Sequence, residues 1–130
     1  MATGLAVGQA NAILDALCSS VAYSDPAGFF VKLHLGDPGA AGASNPAVET
    51  TRQAATFSAA SGGAITTSGA ITWTNVSTSE TYSHVSFWSA ATVGTFLGSD
   101  ALDTSRAVFA GDTFTIATGD LDLNITAIAA

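Results

Sequence analysis

The sequence predicts a mainly β protein: an antiparallel β-sandwich of about eight strands with one N-terminal α-helix. Three observations carry that class. Apolar residues recur at spacings of three and four only near the N-terminus, and from Phe29 onward they alternate with polar ones in short runs. Turn-forming Gly, Pro, Asp and Asn separate those runs at short intervals. The chain has 130 residues, 48% hydrophobic and only 10% charged, which fits one domain able to bury its own core.

Residues 1–22 read as the helix. Thr3 is placed to cap it, and Ala10, Ile13, Leu14, Leu17 and Val21 fall on one apolar stripe, with Asn11, Asp15 and Ser19 off it. Gly4 and Gly8 weaken its first turns by up to about 1 kcal/mol each relative to Ala. Packing must therefore hold this helix, either on the domain's own sheet or on a partner subunit. "YSDPAG" ends it, and residues 23–130 form the β domain.

"FFVKLHL" alternates Phe29, Val31, Leu33 and Leu35 against Phe30, Lys32 and His34, which is a half-buried strand. A long loop with two prolines follows. A strand resumes near residues 52–59, and Gly62-Gly63 reads as a hairpin turn. "GAIT" occurs twice, predicting two short strands around Ser68-Gly69. "HVSFWS" alternates Val85 and Phe87 against His84, Ser86 and Trp88, and "GTFLG" is a short strand bounded by glycines. Phe114 and Ile116, then Leu121, Leu123 and Ile125, close the chain, with turns at Gly111-Asp112 and Gly119-Asp120.

Net charge is −7, and the only cations besides histidine are Lys32, Arg52 and Arg106. Three dispersed cations cannot follow a phosphate backbone or an anionic lipid surface, so neither nucleic acid nor membrane is an expected partner. Cys18 is the single cysteine, which excludes an intrachain disulfide and a cysteine zinc cluster. No cation precedes Lys32 and no apolar run reaches the ~18 residues of a membrane span. Assembly in a cytoplasm is the expectation. A surface of Ala, Gly, Ser and Thr, poorly defended by charge, suits a chain packed against neighbours.

Few polar side chains converge in a pattern that could carry chemistry. His34 and Asp37 in "HLGDPG" resemble the edge of a metal site, with His84 or Glu80 as further ligands, but no HxH, HExxH or repeated acidic spacing supports it. Asp-Pro-Gly is instead a turn: Pro38 presets its φ, Gly39 accepts positive φ, and Asp37 bonds backbone amides. The Gly-Asp pairs lack the tight acidic repeats of a calcium loop. No G-x-S-x-G elbow or phosphate loop occurs. The two glutamates, Glu49 and Glu80, lie in apparent loops and would form a catalytic carboxylate pair only if the fold brought them together. The protein thus reads as no enzyme, with no catalytic or metal residue and no cofactor. Trp73 is in phase with Ile71 and reads as core. Trp88 is out of phase with Val85 and Phe87, and it either lies beneath the helix or contacts a partner. Phe30 and Tyr82 are read as unsheltered. Ile13, Leu14, Leu17, Val21, Phe30, Tyr82 and Trp88 are thus the candidate partner interface.

The ordered series "FFVKLHLGDPGAAG", "TRQAATFSAASGGAI", "AITWTN", "YSHVSFWSAATVGTFLGSDAL" and "AVFAGDTFTIATGDLDLNIT" resembles a family of small tailed-phage virion proteins. Its marks are a strand ending in x-DPG, an RQ-x-x-TF strand, a serine-rich hairpin, a His-containing strand, and a V-x-AGDT-x-x-x-x-x-G-x-L strand pair. The resemblance spans residues 29–126. The sequence departs from it at "ASNPAVETT" and in the short segment after "SFWSA", both in loops. It implies a jelly-roll β-sandwich and a non-enzymatic structural component of a tailed bacteriophage virion, minor tail, tail-fibre or tail-tip. It also implies self-association, with trimers favoured as in phage fibres, contacts with other phage structural proteins, and possible host-surface glycan contact. A capsid decoration protein and a free carbohydrate-binding module are the alternatives.

Overall fold

The computed structural model describes residues 4–124. The cap expected at Thr3 and the inward Ile125 lie outside the described residues. The elements are β1 (Gly4–Leu5), α1 (Val7–Cys18), β2 (Phe30–His34), β3 (Gln53–Ala54), β4 (Ala64–Thr66), β5 (Ile71–Trp73), β6 (Glu80–Trp88), β7 (Phe96–Val108), β8 (Phe114–Ile116) and β9 (Asp122–Asn124). All strand pairs are antiparallel. The protein is mainly β with one N-terminal helix and several antiparallel sheets.

Five strands pair in the order β1-β7-β6-β2-β3, and β4-β9 and β5-β8 form two ribbons. Register follows the predicted alternation. Val31 lies opposite Phe87 and Leu33 opposite Val85, and all four are fully buried. In β5-β8 the pairs Ile71–Ile116 and Trp73–Phe114 are buried, while Thr72 and Thr115 face out with hydroxyls 3.2 Å apart. The five-stranded sheet and the β5-β8 ribbon thus share one core, completed by Tyr82, Val76 and Leu121. Each such burial contributes roughly 1.5–3 kcal/mol. Trp73 donates its indole N–H to the Thr51 carbonyl at 2.8 Å, so its one polar atom is satisfied inside the core.

The two GAIT segments are β4 and β5, as read. At Gly62-Gly63, φ is +61° and +81°, and Ser61 and Ala64 exchange both backbone hydrogen bonds across it. This is the two-residue hairpin turn that the glycine pair predicts. Three expectations need correction. The strand near residues 52–59 shrinks to Gln53–Ala54, with one bridge from Phe57 to Thr67. "GTFLG" does not end at its glycine but runs on to Val108 as β7. The reason is that Gly98 meets the β1 backbone, where a Cβ would lie 2.6 Å from the Gly4 carbonyl oxygen.

The third correction concerns the helix. The chain enters as a strand, with Gly4 opposite Ser99 and Leu5 opposite Gly98, and turns helical only at Val7. Ala6 occupies the cap position without a side-chain bond, and its N–H is donated to the Leu97 carbonyl. The helix ends at Cys18, so Val21 lies beyond it, after a left-handed Ser20. No residue of α1 is buried. The hydroxyl of Tyr23 bonds Gln9 at 2.6 Å. Under the helix is an apolar cavity of about 410 Å³, lined by Leu5, Ile13, Phe29, Phe57, Leu97 and Leu123 among others.

Candidate functional site

The strand-turn of "HLGDPG" is built as the turn chemistry requires. Asp37 Oδ1 accepts the Gly39 N–H at 2.8 Å, Gly39 sits at φ +76°, and Pro38 is buried. The chain then folds back, with the Ser44 N–H on the Pro38 carbonyl and the Leu35 N–H on the Asn45 carbonyl. Gly42 presses on Phe96, where a Cβ would stand 2.4 Å from the ring. This loop, not the helix, covers the second face of the sheet.

His34 is consequently fully buried rather than on a solvated face. Its Nδ1 lies 2.8 Å from the Ser44 carbonyl oxygen and its Nε2 lies 2.7 Å from Ser86 Oγ. Trp88 donates its indole N–H to the same Ser86 Oγ at 2.7 Å. Burial holds the imidazole below its ordinary value and nearby Lys32 and His84 add to that, against the pull of the Ser44 and Asn45 carbonyls. A serine hydroxyl on a histidine nitrogen is the start of a nucleophilic site. Here both groups are buried and the third partner is a backbone carbonyl, so no substrate can reach them. The arrangement is a fastening.

The carboxylates are also engaged by backbone. Glu80, expected in a loop, opens β6 and accepts the Val48 and Glu49 N–H groups at 2.8 and 3.4 Å. Asp112 and Asp120 sit in the two glycine turns predicted for them. Asp100 accepts from Ala101 and Asp122, and burial together with Asp122 and Asp103 pushes it up to about 6. Among the described residues, no three His, Cys, Asp or Glu are grouped to hold a metal ion. Among them, too, no helix is long and apolar enough to cross a membrane.

The predicted interface residues separate. Leu14 and Leu17 are 57% and 78% exposed, Val21 is exposed beyond the helix end, and Ile13 turns inward to line the cavity. Phe30 is half-buried, opposite Trp88 in register. Trp88 is half-buried, with the Arg52 guanidinium 4.3 Å above its ring and Phe96 5.5 Å away. Tyr82 is a correction: it is 0% exposed and packs edge-on against Phe114 at 5.0 Å. The pairing shifts between Tyr82 and His84, which breaks the alternation and sends Tyr82 to the same core as Val85. Sequence reasoning passed over exposed Val7, Val93 and Phe109. Phe109 follows β7 at a Gly-Asp turn, a place where alternation has no phase to report.

The podophage GP4 fiber I protein gp80 family matches residues 5–124, from within β1 to the end of β9. This chain belongs to the podophage GP4 fiber I protein gp80 family. No curated protein matches it. As a member of that family it is a non-enzymatic, fibre-type structural protein of a phage virion. Its polar networks fit that role, since each ties a loop to a sheet. For the gp80-family fibre protein, the outward leucines of α1 and Val21 just beyond it are the part of the expected interface left uncovered by its own fold.

Proposed function

We propose that this fibre-type protein is a tail component, at a tail tip or fibre, and that it self-associates as a trimer through the outward face of α1. The observation that carries this reading is the helix itself. It has no buried residue, yet it bears Leu14 and Leu17 exposed on a chain with little surface charge. An isolated helix of this length is marginal in water, so a second apolar partner is what would hold it. The five-stranded sheet and the ribbons act in this reading as two leaves of a jelly-roll sandwich, a rigid body that places residues 1–22 against other subunits. Assembly takes place in the bacterial host cytoplasm.

Light scattering on the purified protein tests self-association. The expected result is a trimer that the double variant L14E/L17E converts to a folded monomer with unchanged circular dichroism. A monomeric wild type, or an unchanged oligomer in the variant, overturns it. Immunogold labelling of intact particles tests position. Gold at the tail is expected, while gold over the head makes the protein a capsid decoration protein. Glycan recognition would need a row of exposed aromatic side chains and draws no support from Tyr82 and Trp88, because Tyr82 is buried and Arg52 covers a face of Trp88.

A further inference from the structure

The hydrogen bonds around His34 have only one direction that satisfies every atom. The Ser44 carbonyl oxygen can only accept, so His34 Nδ1 must carry the proton. In the neutral ring Nε2 is then an acceptor, and the Ser86 hydroxyl must donate to it. That leaves the Ser86 oxygen free to accept the Trp88 indole N–H. The chain runs Trp88 to Ser86 to His34 to Ser44, from β6 through β2 into the covering loop. A second proton on the ring turns Nε2 into a donor. Ser86 then faces two donors, and its own hydrogen loses its acceptor in a buried site.

We propose that His34 is an acid-sensitive latch: neutral, it fastens the Gly36–Asn45 loop to the second face of the sheet, and protonation releases that loop. The charged groups that face it agree with this direction. Lys32 on its own strand and His84, its cross-strand partner on β6, both oppose a further positive charge. The loop's own carbonyls, those of Ser44 and Asn45, pull the other way and hold the charged ring as they hold the neutral one. Release thus rests on the cost of burying the charge and on the hydrogen that Ser86 leaves without an acceptor. At the base of the loop stands Asp37, whose Oδ1 is engaged by Gly39. The loop also shelters Phe96, whose ring lies 5.5 Å from that of Trp88, so its release would expose aromatic surface.

Nitrogen-15 NMR on the full chain tests this. Near neutral pH the His34 ring is expected to carry its proton on Nδ1, with Nε2 bare. On acid titration, the Trp88 indole resonance and the amides of Leu35 and Ser44 should shift together with the His34 ring. Amide exchange in the loop should rise about tenfold, after correction for the intrinsic pH effect. The variant S86A, which removes the donor to Nε2, should move the midpoint to higher pH, and H34N should abolish the coupled step. A ring protonated on Nε2 at neutral pH overturns the proposal. So does His34 titration that leaves loop exchange unchanged, or a step that persists in H34N. Should H34N fail to fold, the wild-type tautomer and the S86A midpoint decide the matter by themselves.

Discussion

Tyr82 shows how much one side chain depends on its neighbours. Its ring is core, but its hydroxyl is buried with no hydrogen-bond partner among the described residues. Burial pushes the phenol up to about 12, and the carboxylates of Glu80 and Glu49 add to the shift. The folded state therefore keeps this proton at pH values where the unfolded chain has lost it. Stability is insensitive to Tyr82 below its ordinary value near 10 and falls as pH rises through about 12. Tyr82→Phe keeps the packing on Phe114 and removes the orphan hydroxyl. Urea unfolding should show a gain of up to about 1 kcal/mol at neutral pH. The fall between pH 10 and 12 should be weakened in the variant. A loss of stability at neutral pH would mean that the hydroxyl is held by the Glu80 carboxylate beside it or by water.

At the scale of elements, the loops on the second sheet face are held by single polar anchors. Arg52 donates from one guanidinium nitrogen to the Ala90 and Val93 carbonyls at 2.9 and 2.6 Å, and lies over Trp88. It thereby closes the turn after β6, where Val93 is held at φ +56°, an uncommon conformation for a β-branched residue. Hydrogen bonds from a charged donor and a cation–π contact together make Arg52→Ala cost about 2 kcal/mol in thermal unfolding. Arg52→Lys should recover little of this, because an ammonium cannot stack and fork at once. Full recovery by lysine would mean that only charge matters at this position. The sequence marked this residue as one of three cations and as part of the RQ-x-x-TF motif. It could not show where the side chain goes, since Ala90 and Val93 lie far along the chain.

At the scale of the whole molecule, the N-terminal segment has two attachments that different variants separate. Leu5 and Ile13 line the cavity with Phe29, Phe57, Leu97 and Leu123, and Gly4–Leu5 extend the main sheet at β7. Leu14 and Leu17 point away from it. Removing residues 1–22 strips both attachments and opens the cavity wall. The truncated chain should lose about 2–4 kcal/mol, the partial burial of the Leu5 and Ile13 side chains. It should also bind a hydrophobic dye. A truncated chain as stable as the intact one would show that the segment serves assembly alone. The outward leucine variants, by contrast, should leave the melting temperature of the monomer unchanged.

The local part of this protein is legible in the order of its amino acids. Period-two runs set β2, β5, β6 and β8 and their inward residues Val31, Leu33, Val85, Phe87, Ile71, Trp73, Phe114 and Ile116. Asp-Pro-Gly, Gly-Gly and Gly-Asp set the turns, because backbone preferences act over two or three residues. The order of those pieces pointed to the phage family. Packing between distant segments set the rest. It made Gly4 and Leu5 a strand, since β7 offers them pairing partners, and it buried Tyr82 through a shift in pairing. It also closed a proline-rich loop over His34 and not the helix, which left Leu14 and Leu17 outside. Alternation tells which side chains share a face, whereas what covers that face is settled by contacts between residues distant in the chain.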